Sequence, residues 1–247
     1  MTIKALNIVY SYPVKWSLTK LLSDFIQNFF DAIGPENFSK NFKHTYLDNT
    51  LRLISHEAFS IEWLYFFGAS TKRNQNISYA GKFGEGFKVA SLIAHRDYNL
   101  EISMESLNWK LTVTKTAGKI ENKDVMFLAY DITERSNTNE TILTLKGIKE
   151  NDYKDFIELL KDFYYKGNPI LGECIFKNSK IGLYKSKERE QSFGRIYINY
   201  LSRKTIKIPL IICHNHFAIS RDDRDRDTVY ETSPDADSHH PLHNGGK

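Results

Sequence analysis

Asp24, Asn28 and Asp31 stand four and three residues apart on a strongly amphipathic stretch. At 3.6 residues per helical turn they share one stripe, opposite the apolar positions. Such a stripe is either a solvated polar face or a set of oxygen ligands. A carboxylate orients and deprotonates water. A neutral amide oxygen suits Mg²⁺, a hard cation that shares its ligands with substrate phosphates. Further along, Gly81-Lys82-Phe83-Gly84-Glu85-Gly86-Phe87-Lys88 sets three glycines within six residues, ahead of a run that reads as a helix. Glycine permits positive φ and close backbone approach, and a helix start offers unpaired N–H groups at the positive end of a dipole. Together these make an anion site suited to phosphates, with Lys72, Arg73, Lys82 and Lys88 adding charge nearby. The alternative is a glycine-rich hinge with no ligand. The segment is not a Walker A loop, because Phe87 follows Gly86 where Lys-Ser/Thr is needed. Nor is it the Rossmann fingerprint, whose spacing differs and which follows a strand rather than a loop.

Taken in this order, the two segments resemble the motifs of the GHKL ATPases, the superfamily of gyrase, heat-shock 90, histidine kinase and MutL. Asp24-Phe25-Ile26-Gln27-Asn28-Phe29-Phe30-Asp31-Ala32 resembles their E-x-x-x-N-x-x-D-A box. Gly81–Gly86 resembles the G-x-x-G-x-G box that ends the ATP lid, in a form similar to MORC-type and heat-shock-90-type members. Gly68-Ala69-Ser70-Thr71-Lys72 is similar to the start of the lid in MORC-type ATPases. The resemblance covers residues 14–146. It implies a Bergerat-type α/β two-layer sandwich, with helices on a mixed sheet and ATP held between helices and lid. It implies ATP and Mg²⁺ as cofactors, with Asp24 in the place of the general base, Asn28 as Mg²⁺ ligand and Asp31 bracing the pocket. Lys72, Gly81, Lys82, Phe83, Gly84, Glu85, Gly86, Phe87 and Lys88 would surround the phosphates. Thr141 would help bind adenine through water, with Thr144 as the alternative. In gyrase, MutL, MORC and heat-shock 90 proteins, lid closure dimerises the ATPase domains. The resemblance therefore implies a homodimer on ATP binding, or a larger partner protein.

Two departures bear on the chemistry. The family's usual base is Glu, and Asp24 is one methylene shorter. A carboxylate set back by about 1 Å costs about 10²-fold in rate, so slow hydrolysis or none is expected. The D-x-G-x-G box that reads the adenine amine has no counterpart. Ile54–Ser60 lacks its Asp and both glycines, leaving Ser55, His56 and Glu57 as acceptors, with Asp48-Asn49, ahead of the strand, as a lesser alternative.

The elements that must position these residues follow from hydrophobic period. Ile3–Tyr10 and Leu51–Ile54 read as strands, Val14–Ile33 as a helix closed by Gly34-Pro35, and Phe59–Phe67 as a short helix. Gly68–Gly86 reads as a long polar loop and Phe87–Ala94 as a helix. Leu100–Ser106, Trp109–Thr116, Val125–Ile132 and Thr141–Leu145 read as four strands. Asn151–Tyr165 reads as a second amphipathic helix, followed by strands at Ile181–Lys185, Gly194–Leu201 and Lys204–Cys213. The expected division is an ATP-binding domain over 1–148, a smaller strand-rich α+β accessory region over 149–234, and a disordered tail over 235–247.

The 247 residues are 41% hydrophobic and 26% charged, enough for a sizeable core and unlike a disordered polyelectrolyte. No apolar run approaches the roughly 20 residues of a membrane helix, and Met1–Ser11 lacks the pattern of a secretory signal. Two cysteines are too few for a disulfide framework, which points to a reduced, cytoplasmic setting. The net charge of +4 gives only weak support for a nucleic-acid partner. The Arg221–Asp227 run reads as a self-neutralising solvated segment, or as a source of an arginine for the γ-phosphate. Cys213, His214, His216 and the histidines at 239, 240 and 243 invite a metal-dependent nuclease reading, though no second Cys/His cluster completes a zinc site. A non-hydrolysing nucleotide sensor is the remaining alternative.

Overall fold

Two-residue turns with positive φ organise the first sheet. Asp48 and Asn49 adopt φ of 49° and 55°, and Glu121 and Asn122 adopt 47° and 65°. This is the primed-turn geometry whose twist matches that of paired strands. The computed structural model describes residues 2–65, 86–188 and 192–214. In chain order the first part runs β1 (Thr2–Val9), α1 (Leu18–Ile33), α2 (Phe38–Asn41), β2 (Phe42–Leu47), β3 (Thr50–Ser55), α3 (Gly86–Asp97), β4 (Glu101–Ile120), β5 (Lys123–Lys146) and α4 (Glu150–Leu160). The second part is β6 (Leu171–Lys177), β7 (Ile181–Ser186), β8 (Gly194–Ile198), β9 (Leu201–Ile206) and β10 (Leu210–His214).

The long strand β5 is the spine of the first sheet. It pairs with β4 along its length, with β1 through its first half and with β3 through its last six residues. All of these pairs are antiparallel, as is β2 with β3. The parallel pair, β8 with β10, lies in the second sheet, ordered β6-β7-β10-β8-β9. The architecture is α/β, with helices layered on one sheet and a smaller strand-rich region after it.

The helix α1 begins at Leu18, later than the apolar period suggests. Ser17 is extended, and its Oγ accepts from the Lys20 N–H at 3.1 Å, which makes it the N-cap. Gly34, with φ of 81°, closes the helix by donating its N–H to Phe30 O. One face of α1, through Leu21, Leu22, Phe25, Ile26, Phe29, Phe30 and Ile33, is buried in the main core. Leu51, Leu53, Ile102, Met104, Leu143 and Leu145 meet it from the sheet.

Several expected elements differ. The four strands between 100 and 145 are two, β4 and β5. The polar stretch between the expected strands Val125–Ile132 and Thr141–Leu145 stays in the ladder as bulges. Leu107, at φ 46°, pairs with Thr138 between register shifts on both sides, and bulges absorb extra residues without ending a strand. The second helix stops at Leu160. Phe163 bridges to Leu201, and the Tyr164 N–H donates to Tyr200 O, so its last apolar residues leave the helix to meet the second sheet. Phe59–Phe67 contributes a single 3-10 turn, Ile61–Leu64, within the described residues. The stretch 204–213 divides into β9 and β10, and β2 and β6 had no clear sequence signal.

Candidate functional site at the meeting of two helices

The first turn of α3 lies against the polar stripe of α1. Phe87 of α3 packs on Phe25 of α1, ring centroids 5.7 Å apart. One residue earlier, Gly86 faces Asp24. A Cβ built on Gly86 would sit 3.1 Å from Asp24 Cγ and would collide with Oδ2. Glycine at 86 is therefore what admits the carboxylate to the start of α3, where helix N–H groups favour negative charge.

Asn28 is one turn further along α1. Its Nδ2 donates to Asp24 O at 2.8 Å and lies 3.5 Å from Asp24 Oδ2. With Nδ2 turned to its own helix, Oδ1 is the atom that remains for a hard cation. The residues present thus fit a Mg²⁺ site of the kind that shares its ligands with phosphates. Asp31 is buried, as is Gln27 beside it. The stripe therefore does not lie wholly opposite the apolar face. It turns inward at Asp31, because α1 packs against both α3 and α4. Phe87 and Lys88 are also buried, and Asp24, Asp31 and Lys88 are each engaged by neighbours. Lys72, Gly81, Lys82, Phe83, Gly84 and Glu85 lie outside the described residues, as do the 221–227 run, His216 and the later histidines.

Thr141 lies on β5, opposite Ser55 in the β3–β5 register. Its hydroxyl donates to Glu57 O at 2.6 Å and lies 3.0 Å from Ser106 Oγ. Ser55 Oγ accepts from the Glu57 N–H, Ser106 Oγ from the Phe59 N–H, and Trp109 Nε1 donates to Phe59 O. Three buried hydroxyls and one indole thus fasten the Ser55–Phe59 turn to the sheet. Ser106 was not singled out from sequence. Its signal is a small polar residue in the alternating apolar run Ile102, Met104, Ser106. Among the candidate base acceptors, Ser55 is buried beneath this turn, while His56 pairs with Glu140 at 3.4 Å on the other face. Glu57 is exposed.

Cys213 is buried in the second core, and burial pushes its thiol far above the ordinary range. Among the described residues no group of three His, Cys, Asp or Glu side chains is placed to hold a metal ion. No described helix is long and apolar enough to cross a membrane.

No family model matches the chain, and no curated protein matches it in sequence. Among solved structures it is similar to the ATPase region of Saccharomyces cerevisiae topoisomerase II, at 13% identity and TM-score 0.42, over 86% of this chain and 79% of that one. It is also similar to the N-terminal domain of a DNA repair protein, at 10% identity and TM-score 0.42, over 83% of this chain and 86% of that one. No family follows from likenesses of this size.

Proposed function

We propose that the chain is a Mg²⁺-dependent ATP-binding protein of GHKL type, with a Bergerat-type first part over 1–148 and a coupling region over 149–234. The observation that carries this reading is the contact between Gly86 and Asp24. It brings the last glycine of the loop motif onto the first residue of the α1 motif, with Asn28 bonded to the same carboxylate. Asn28 would hold the cation through Oδ1, and Asp24 would hold the proton of an attacking water. The start of α3 would meet phosphate oxygens, joined by Lys72 and Gly81–Glu85. When bound, Mg²⁺ supplies charge neutralisation at the phosphates. Thr141 would contribute at the base through a bridging water. Lid closure on ATP would drive homodimerisation or the engagement of a larger partner.

Titration calorimetry with ATP and Mg²⁺ tests the reading. Binding that requires Mg²⁺ and weakens tenfold or more in Asn28→Ala is the expected outcome. Equal binding by both proteins, or none by either, overturns it. Light scattering with a non-hydrolysable ATP analogue reads the dimerisation, and an unchanged mass removes that part.

The sensor reading has its own support. Asp24 is short, sits hard against Gly86 and is bonded by Asn28, which limits its reach toward water. Binding without phosphate release would select the sensor over the ATPase.

A further inference from the structure

The positive charge of the chain is concentrated in the second sheet. Residues 171–214 carry nine Lys and Arg against three acidic residues, a net +6, whereas residues 1–170 carry 21 against 20. Six of the nine are the lysines Lys177, Lys180, Lys185, Lys187, Lys204 and Lys207, and all six are exposed. The sheet's described carboxylates are already committed, Glu173 to Lys185 and Glu188 to Arg195. Arg195 turns inward and also meets Asp162. Lys177, Lys180, Lys187 and Lys207 have no carboxylate at ion-pair distance among the described residues.

The register assigns the faces. Tyr184, Ile211, Cys213 and Tyr197 point into the second core. The opposite face carries a mainly apolar row, Phe176, Leu183, Ile212, Ile196 and Lys204, paired in turn across all five strands, so most of the lysines lie at the margins of the sheet. Lysines flank β7 at both ends, Lys180 just before it and Lys185 and Lys187 at its close. At about 3.3 Å per residue, five to seven residues set these charges about 16–23 Å apart. Charges so spread do not converge on one phosphate. They suit a polymer that repeats its charge, and duplex DNA carries one per about 1.7 Å of axis. Lysine, a point charge on a flexible stem, positions a backbone without reading bases. A single-strand site would need a platform of stacking aromatics, and Phe176 is the one phenyl ring in the strands of this face.

We propose that the lysine-bearing margins of the second sheet, with Lys180 and Lys187 at the two ends of β7 and Lys207 between β9 and β10, bind the phosphate backbone of duplex DNA without sequence readout. The surface is separate from the α1–α3 site and needs no nucleotide. The test is therefore run on the full chain without ATP or Mg²⁺, by anisotropy of a labelled duplex across a salt series. Lys180→Glu/Lys187→Glu/Lys207→Glu is compared with Lys110→Glu/Lys119→Glu/Lys123→Glu, which changes net charge equally from exposed positions of β4 and β5. The first triple is expected to lose tenfold or more in affinity at about 0.1 M salt. Its slope of log K on log salt should shrink by about 2–3, near 0.9 for each phosphate that is no longer neutralised. The control triple should stay within about threefold of wild type. The milder Lys180→Gln/Lys187→Gln/Lys207→Gln protein, expected to show a smaller loss in the same direction, keeps the test open if charge reversal impairs folding. No binding by wild type, equal loss in both triples, or displacement of the duplex by polyglutamate at matched charge overturns the proposal. The last outcome assigns these margins to an acidic protein instead.

Discussion

A single missing methyl group decides the geometry of the candidate site. Gly86→Ala must push Asp24 aside, because its Cβ would overlap Oδ2. The Asp24 side chain is partly buried and bonded through Asn28, so its displacement also disturbs the amide that would hold the cation. The φ of Gly86 lies outside the left-handed region, so the cost is steric rather than a backbone strain. Gly86→Ala is expected to destabilise the fold by about 1–2 kcal/mol, within the range of overpacking, and to weaken Mg·ATP binding at least tenfold in calorimetry. The pair Gly86→Ala/Asp24→Ala removes the overlap and is expected to regain the stability without the binding. A double variant that melts no higher than Gly86→Ala would show that the contact is not the source of the cost.

At the scale of elements, His44 on β2 reports the packing of α4 onto the first sheet. Its ring lies 5.2 Å from Phe156 and 6.0 Å from Tyr153, and Nδ1 is 3.4 Å from the Tyr153 hydroxyl. Burial lowers its pKa from 6.5. The unfolded chain therefore takes up the proton first, and the folded state loses stability as pH falls below 6.5 toward the lowered value. Above 6.5 the contribution is flat. The slope is bounded by about 1.4 kcal/mol per pH unit for one proton. His44→Phe keeps a ring but removes the titration, so its melting temperature should fall less than that of wild type between pH 7.5 and 5.5. Parallel curves would dismiss the assignment. This contact shows what the sequence could not convey. The polar-apolar period placed α1, α3 and α4, and the two motifs named Asp24 and Gly86, which lie in contact, while Gly81–Glu85 lie outside the described residues. But β2 carries no clear strand signal, and its turn at Asp48-Asn49 shows only in the structure. The bulges at Leu107 and Arg135–Glu140 reverse the usual meaning of a polar run. The Ser55–Ser106–Thr141 cluster exists only once three distant strands are in register, which no local pattern encodes.

Across the described residues, the two cores meet along an aromatic seam with an ionic tie beside it, and Leu201 of β9 belongs to the main core. Phe30 of α1 lies 5.2 Å from Phe163 and 6.2 Å from Tyr200, and Tyr200 in turn lies 6.2 Å from Tyr164 at a 22° interplanar angle. Tyr164 and Tyr184 share a 2.6 Å hydroxyl bond inside the second core. Beside this seam, Arg195 of β8 joins Glu188 and Asp162, just past α4, and Tyr197 donates its hydroxyl to Lys161 O. Burial raises the Asp162 pKa and Arg195 pulls it the other way, so losing the guanidinium leaves burial unopposed. The helix that would carry nucleotide chemistry is thus packed directly against the residues that seat the second sheet. Arg195→Met leaves two carboxylates without their cation; the Asp162 side chain is 39% exposed while those of Glu188 and Arg195 are 15% exposed, so the expected cost is about 1–2 kcal/mol, between an exposed pair and a buried one. Its consequence should be local before it is global. The three tryptophans, Trp16, Trp63 and Trp109, all precede β5, whereas Tyr164, Tyr184 and Tyr197 line the second core. In wild type, tryptophan fluorescence and tyrosine near-UV dichroism should melt together, as expected of one cooperative unit. In Arg195→Met the part of the tyrosine signal that comes from the second core should melt first, giving the tyrosine curve an early step, while the tryptophan transition holds close to its original midpoint. Coincident transitions at the wild-type temperature would mean that the aromatic seam alone binds the two parts, with the ionic tie contributing nothing to their coupling.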